Sequence, residues 1–245
     1  MSDRTAIVVG ASRGLGRGVA VALAEAGAPV VAVSRTAAAF TDLGDGAGAV
    51  QGEIADAADD PVATGLLDRY DPGFVVLVAG ATPHLRPLHE QTWESFSVNW
   101  QTDVRITFAW LRAALLKPLR PGSSVVVVSS GAALNGSPLS GGYAGAKATQ
   151  RFITGYAGDE ARRAGLGVTF TTVLPQLTPL TDLGRPAVRA YAARAGTSEE
   201  EYLARMGEPL TPEAAGAAIV ELVRADAATV APAYRLDASG LQALR

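Results

Sequence analysis

The chain has 245 residues, enough for one large α/β domain, and 48% of them are hydrophobic. A formal net charge of −3 gives no basic surface for nucleic acid, and the lack of cysteine excludes disulfides and thiolate chemistry. Two histidines are too few to favour a metal site, and the apolar runs are too short to span a membrane, so we expect a metal-free cytoplasmic protein.

Short β-branched runs alternate with helical patterns along the whole chain. We predict strands at residues 6–10, 30–34, 47–52, 74–80, 124–130, 168–174 and 229–236. We predict helices from the first glycine-rich turn to residue 26, at 61–70, 92–119 and 142–164, and from a Thr211 cap to about residue 225. The segment 178–207 breaks the alternation and is expected to hold two short helices on a proline-containing loop.

The strand and helix order predicts the architecture. Most of the strands are continuously apolar, which is typical of a sheet covered on both faces. Alternation of strands and helices favours a doubly wound, Rossmann-type parallel β-sheet flanked by helices on both faces. We expect residues 1–245 to form a single domain of this α/β class, with a small substrate lid at about residues 178–207.

A glycine-rich turn follows the first strand and opens the first helix. Gly10, Gly14 and Gly16 have the spacing Gly-x-x-x-Gly-x-Gly. Glycines at this place let the backbone approach a pyrophosphate closely, and the N-terminus of the helix behind them attracts the negative charge. The sequence therefore predicts a dinucleotide-binding turn.

The end of the second strand predicts which dinucleotide binds. An acidic residue there usually accepts hydrogen bonds from the adenosine ribose, but this chain has Ser34 and Arg35. An arginine fork can grip a 2′-phosphate, and Arg13 in the glycine turn can approach the same group. The two arginines favour NADP(H), with NAD(H) as the alternative.

Tyr143 and Lys147 lie four residues apart in a predicted helix and so share one of its faces. Reduction of a ketone by hydride creates an alkoxide that must be protonated. A neighbouring ammonium favours a phenolate and lowers the pKa of a phenol from about 10, so it assists this proton transfer. Ser130 ends the preceding strand, where its hydroxyl can polarise the carbonyl.

These residues together resemble the classical short-chain dehydrogenase/reductase family over nearly the whole chain. The glycine turn appears as Gly10-Ala-Ser12-Arg13-Gly14-Leu15-Gly16, and Tyr-x-x-x-Lys appears as Tyr143-Ala-Gly-Ala-Lys147. Ser130 lies thirteen residues before Tyr143, and Asn99 matches the asparagine that completes the family tetrad. The resemblance implies that Ser12, Arg13 and Leu15 contact the cofactor with the glycines, that Asn99 holds a proton-relay water, and that Lys147 also binds the nicotinamide ribose.

Three positions depart from the family pattern. Val78-Ala79-Gly80 lacks the usual asparagines, although Ala79 and Gly80 still allow close approach to the cofactor. The acidic adenine contact aligns with Glu53 and Ile54. Gln176 replaces glycine after Pro175, and we assign the carboxamide contact to Thr178 in preference to Thr181.

The preferred interpretation is an NADPH-dependent reductase of a ketone, aldehyde or oxoacyl group. The alternatives are an NAD-linked alcohol dehydrogenase, a catalytically silent cofactor-binding regulator, and a dehydratase or epimerase. The expected partner is a small carbonyl or alcohol substrate, with no nucleic acid and no membrane. The expected substrate-lining residues are His84, Leu85, Leu134, Leu139, Gln176, Leu177, Leu180 and Leu183.

Aromatic residues recur along the predicted helix at 92–119. They are Phe96, Trp100, Phe108 and Trp110. In the family this region packs between subunits, which implies a homodimer or homotetramer. Packing of these rings against the sheet is the alternative.

Overall fold

The computed structural model describes residues 1–36 and 49–244. Their strands form one eight-stranded sheet in the order β3-β2-β1-β4-β5-β6-β7-β8, parallel throughout except that β8 pairs antiparallel with β7. The strands are β1 (Ala6–Val9), β2 (Val30–Ser34), β3 (Val50–Ile54), β4 (Phe74–Leu77), β5 (Ser124–Val128), β6 (Thr169–Pro175), β7 (Ala233–Asp237) and β8 (Gly240–Ala243). This topology confirms the predicted doubly wound α/β architecture.

Helices cover both faces of the sheet. They are α1 (Gly14–Glu25), α2 (Asp60–Tyr70), α3 (Trp93–Asn99), α4 (Arg105–Leu116), α5 (Ala132–Asn135), α6 (Gly142–Arg163), α7 (Gly184–Ala195), α8 (Glu199–Met206) and α9 (Pro212–Arg224). A π-helical turn, Trp100–Val104, joins α3 to α4, and short 3₁₀ turns lie at Leu88–Glu90 and Ala227–Thr229. Within the described ranges, no helix combines the length and hydropathy of a membrane span.

Alternate residues of the inner strands β1, β2, β4 and β5 enter two separate cores. Ala6 and Val8 of β1 pack in the core beneath α1 and α9. Ile7 and Val9 pack on the opposite face with residues of α2, α4 and α6. Because these strands are buried on both faces, they need apolar residues at successive positions, which explains the continuous apolar runs.

Several strands are shorter at their carboxyl ends than the sequence predicts. β1 stops at Val9, β4 at Leu77 and β5 at Val128. Beyond these points the chain leaves the sheet and lines a cleft. Strand β3 begins at Val50, three residues later than predicted; residues 47 and 48 of that prediction lie outside the described residues.

The C-terminal region and the predicted long helix also differ from the expectations. β7 begins at Ala233 and not at residue 229, because a 3₁₀ turn at Ala227–Thr229 precedes it. The antiparallel β8 was not predicted; a turn through Gly240, whose φ is +106°, returns the chain beside β7. The predicted helix at 92–119 is interrupted by the π-turn and ends at Leu116.

Candidate active site

A cleft of about 1250 Å³ lies at the carboxyl ends of the parallel strands. Open α/β sheets bind ligands at this edge. The predicted site residues that line it are Gly10, Ser12, Arg13, Gly14, Leu15, Gly16, Ser34, Arg35, Ala79, Gly80, Ser130, Tyr143, Lys147, Pro175 and Thr178. Among the described residues, Asn99, Glu53 and Ile54 are predicted site residues that lie outside this lining.

The glycine turn fits a dinucleotide because side chains are excluded from it. Gly10 has a φ of +91°, and a Cβ there would lie 2.6 Å from the backbone nitrogen of Ala79. A Cβ at Gly16 would overlap the carbonyl oxygen of Gly10. Helix α1 begins at Gly14, so its first N–H groups lie beside the cleft. Free N–H groups at the N-terminus of a helix can bind phosphate groups.

The two arginines predicted to grip a phosphate both line the cleft. Thr36 donates its backbone N–H to Ser34 Oγ at 3.2 Å, which turns the chain after β2 and leaves Arg35 exposed. Arg13 Nη1 lies 3.5 Å from Asp182 Oδ2, and both side chains are about 70% exposed. A contact so long and exposed contributes little, so Arg13 remains available to a ligand phosphate.

Glu53 and Ile54 do not reach the cleft. The Glu53 carboxylate accepts hydrogen bonds from Tyr70 and Arg69 of α2, and Ile54 is exposed on the outer edge strand. The next residues, Ala55 and Asp56, line the cleft in their place. Glu53 and Ile54 were predicted to contact the cofactor, but the cleft begins beyond the end of β3 and does not include its last two residues.

Ser130, which follows β5, lines the cleft together with Tyr143 and Lys147 of α6. Ser129 Oγ donates to the backbone carbonyl of Lys147 at 2.7 Å, which ties the end of β5 to α6. Tyr143 is in the first turn of α6, and the Lys147 Nζ lies 5.5 Å from the centroid of its ring. Ser130 Oγ accepts from Ala132 N at 3.2 Å. A phenol, an ammonium and a hydroxyl therefore face the same space.

The structure adds a residue that sequence reasoning missed. Asp103 Oδ2 lies 3.2 Å from Lys147 Nζ, and the two side chains are 0% and 5% exposed. Burial lowers the pKa of Lys147, but the charge of Asp103, followed by that of Tyr143, outweighs this effect and raises the pKa. Lys147 is therefore held in its charged form. Asp103 lies four residues after Asn99, and this spacing is the signal in the sequence that could have placed the two side chains on the same helix face.

Asn99 is buried behind the cleft. Its Nδ2 donates to the Ala81 carbonyl at 2.8 Å and lies 3.3 and 3.4 Å from the two Asp103 carboxylate oxygens. The amide group thus contacts the loop after β4 and the Asp103 carboxylate. The water relay that the resemblance implies for Asn99 stays a prediction.

The segment after β6 brings two threonines to the cleft. The hydroxyls of Thr178 and Thr181 are 3.1 Å apart, and Gly184 N donates to Thr181 Oγ1 at 3.0 Å. A Cβ at Gly14 would lie 3.6 Å from the Thr181 methyl, so Thr181 is next to the glycine turn. Both threonines line the cleft. Gln176 donates its Nε2 to the Glu208 carbonyl at 3.0 Å and thereby connects this segment to the chain before α9.

The remaining cleft wall combines apolar and polar side chains. The expected lining residues found there are His84, Leu85, Leu134, Gln176, Leu177 and Leu183. Leu139 is instead buried, and Leu180 lines a separate small apolar pocket. Tyr191 and Tyr202 also line the cleft with stacked rings, and Ser137 hydrogen-bonds to Tyr191. Of the described residues, no three His, Asp or Glu side chains form a cluster that could hold a metal.

Comparison with known sequences shows a family. A family model described as "short chain dehydrogenase" matches residues 4–192. An uncharacterised oxidoreductase of Mycobacterium tuberculosis is 33% identical over 138 residues, 53% of this chain and 51% of that protein. L-xylulose reductase of Mesocricetus auratus is 34% identical over 43% of each chain, and D-erythrulose reductase of Gallus gallus is 35% identical over 51% and 52%. The matches therefore span about half the length of these relatives.

Solved structures share the fold over almost the whole chain. A short-chain dehydrogenase/reductase from Mycobacterium ulcerans is 26% identical, with a TM-score of 0.80 over 99% of this chain and 93% of that one. A 3-oxoacyl-[acyl-carrier protein] reductase from Brucella melitensis in complex with NAD is 23% identical (TM-score 0.79, covering 96% and 95%). A variant of the actinorhodin polyketide ketoreductase with NADPH is also 23% identical (TM-score 0.80, covering 97% of each).

Proposed function

The chain belongs to the short-chain dehydrogenase/reductase family, and from this we propose that it is an NADPH-dependent reductase that converts a ketone, aldehyde or oxoacyl group to an alcohol. One observation carries the proposal: Ser130, Tyr143 and Lys147 line the same cleft as the glycine turn. A cofactor-binding regulator has no need of a proton donor beside its cofactor.

The chemistry divides between the cofactor and this chain. When bound, the nicotinamide supplies a hydride to the carbonyl carbon. Tyr143 donates its phenolic proton to the carbonyl oxygen, and Ser130 donates a hydrogen bond that polarises the same oxygen. The Lys147 ammonium stabilises the phenolate that remains, because opposite charges favour each other at this range in a buried site. The glycine turn holds the pyrophosphate, and Thr178 with Thr181 faces the carboxamide.

Arg35 and Arg13 support the preference for NADPH. Both line the cleft beside the glycine turn, and an arginine fork recognises a phosphate through paired charge-assisted hydrogen bonds. Asp56, which follows β3, lines the cleft, and we assign to it the adenine contact that the sequence pattern gave to Glu53 and Ile54. The structural neighbours named above hold NAD in one case and NADPH in the other, so the preference rests on the arginines of this chain.

Replacing Arg35 with aspartate is expected to weaken NADPH binding by about 10- to 100-fold, which corresponds to one charge-assisted interaction of about 1.5–3 kcal/mol. NADH binding should be unchanged or tighter, because NADH has no 2′-phosphate for the new carboxylate to repel. Cofactor fluorescence titration measures both affinities. Arg163→Asp, on an exposed arginine at the far end of α6, is the matched control. An equal loss for both cofactors in Arg35→Asp would contradict the phosphate assignment.

The substrate class is tested by following NADPH absorbance with three groups of carbonyl compounds: ketoses, aromatic ketones and 3-oxoacyl thioesters. Ketoses are included because two relatives are an L-xylulose reductase and a D-erythrulose reductase. The cleft supports this choice, because Ser137, Gln176 and Tyr191 offer hydroxyl and amide groups among the leucines. Aromatic ketones are included because the stacked rings of Tyr191 and Tyr202 line the cleft.

A homodimer or homotetramer is part of the proposal. Trp110 is buried within the chain and Phe96 is partly buried, but Trp100 and Phe108 are exposed on the same helical segment. Helix α6 packs against this segment, and its own exposed aromatic residues extend the surface. The exposed aromatic residues of α3, the π-turn, α4 and α6 are Trp93, Trp100, Phe108, Phe152 and Tyr156. Apolar surfaces of this kind usually mark an interface.

The combined change Phe108→Glu and Phe152→Glu is expected to convert the assembly to monomers, because it places charges in an apolar interface. Size-exclusion chromatography with light scattering measures the mass. Leu203→Glu, on an exposed leucine of α8, serves as the control and should leave the mass unchanged. A wild-type protein that is already monomeric would contradict the proposed assembly.

A further inference from the structure

Asp103 is a buried carboxylate held by groups from three parts of the fold. Its Oδ1 accepts from Ala81 N at 2.8 Å, and its Oδ2 lies 3.2 Å from Lys147 Nζ. The amide of Asn99 faces both oxygens at 3.3 and 3.4 Å. A carboxylate can remain charged without exposure only when it has partners of this kind.

The π-turn fixes the backbone of Asp103 as well as its side chain. The Asp103 carbonyl accepts from Thr107 Oγ1 at 2.9 Å and from Gln150 Nε2 at 3.1 Å. Gln150 is three residues after Lys147 on α6, so α6 contacts both the backbone and the carboxylate of Asp103. π-turns frequently occur at functional sites, and this one brings the Asp103 side chain into contact with α6.

The same carboxylate supports the loop after β4. The sequence lacks the asparagines that usually supply polar groups before Ala79 and Gly80. Here Asp103 accepts from the Ala81 backbone, and a Cβ at Gly80 would lie 2.8 Å from Asp103 Oδ2. Gly80 therefore leaves room for the carboxylate, and Asp103 compensates from the turn between α3 and α4 for the polar support that the loop lacks.

We propose, building on the proposed function, that Asp103 is a positioning residue: it holds the Lys147 side chain and the loop at Ala81 in place, and its charge keeps Lys147 protonated beside Tyr143. Asp103 acts through Lys147 and does not touch the carbonyl substrate.

The sign of the effect follows from electrostatics. Burial lowers the pKa of Lys147 and the charge of Asp103 is the largest effect that opposes it, so removing that charge lowers the pKa of Lys147. Asp103 and Tyr143 are the titratable groups beside Lys147 that raise its pKa. Within the described ranges, the other charged side chains on the elements packed against α6 are exposed, namely Glu94, Arg105 and Arg112.

The test is a carbon-13 NMR titration of lysine side chains labelled at Cε, in the full chain without cofactor. The Lys147 signal is the one that is missing from Lys147→Gln. In Asp103→Asn the Lys147 midpoint should move down by at least about one pH unit, because burial then acts without the opposing charge of Asp103. Glu94→Gln removes the same charge from an exposed position of α3 and should leave the Lys147 midpoint unchanged.

An Asp103→Asn midpoint that matches wild type or moves upward would overturn the inference. If Asp103→Asn does not fold, the double variant with Lys147→Gln should restore folding, because it removes the unpaired buried ammonium; failure of the double variant to do so would contradict the pairing. These readouts need no substrate. An inactive wild type would therefore overturn the proposed function, and the titration would still decide the role of Asp103.

Discussion

Replacing Tyr143 with phenylalanine is expected to lower kcat for carbonyl reduction by about 100- to 10,000-fold, the range that one general acid contributes. The variant keeps the ring that packs beside Lys147 and loses only the hydroxyl that donates the proton. NADPH affinity should be nearly unchanged, because the glycine turn and the arginines are intact. Steady-state kinetics and cofactor fluorescence titration separate the two effects.

The control for this variant is Tyr156→Phe, which removes a hydroxyl from an exposed tyrosine of the same helix. It should retain wild-type turnover. Undiminished turnover in Tyr143→Phe would require another proton donor and would contradict the assignment.

Adding one methyl group at Gly142 is expected to be the most damaging small change near the site. Gly142 is the first residue of α6, and a Cβ there would overlap the backbone carbonyl oxygen of Phe96. Since neither backbone segment can yield easily, Gly142→Ala should lower the free energy of unfolding by about 1–3 kcal/mol. Displacement of the first turn of α6 also displaces Tyr143. We expect kcat/KM to fall by about 100-fold, because catalysis is sensitive to shifts of about 1 Å.

Gly155→Ala provides a matched control within the same helix. A Cβ at Gly155 meets no heavy atom within 4 Å. Because glycine is a poorer helix former than alanine, this change should stabilise the protein by about 0.5–1 kcal/mol and leave kcat/KM unchanged. Thermal or denaturant unfolding of the two variants measures the opposite signs. A stabilised Gly142→Ala with full activity would contradict the close approach of α6 to α3.

Much of the fold was predictable because local pattern and global architecture agree. Buried strands such as β1 and β5 are apolar at nearly every position, and helical patterns follow them in the sequence. The exact strand ends were harder to predict, because Val78 continues the apolar run of β4 although the chain there already lines the cleft. β8 was missed because it is four residues long and is defined by its pairing with β7.

At the site, contacts between residues close in the sequence could be predicted, and contacts between residues distant in the sequence could not. The i, i+4 relation of Tyr143 and Lys147 and the glycine turn are contained in short segments. The partner of Lys147 is not local: Asp103 lies 44 positions earlier, and a π-turn changes its direction in a helix that the sequence presents as regular. Glu53 presents a different problem. From the sequence of one strand, a carboxylate that faces the cleft cannot be distinguished from one that is hydrogen-bonded to Tyr70.

Transfer of deuterium from NADPH labelled at the transferring C4 position tests the central claim most directly. Mass spectrometry of the product identifies where the label goes in a reaction that the wild-type protein performs on one of the carbonyl panels. We expect one deuterium on the carbinol carbon for each NADPH consumed, and Tyr143→Phe should form the labelled alcohol about 100- to 10,000-fold more slowly. Tight NADPH binding by the wild type, with neither consumption nor labelled alcohol across all three panels, would contradict the proposed reduction.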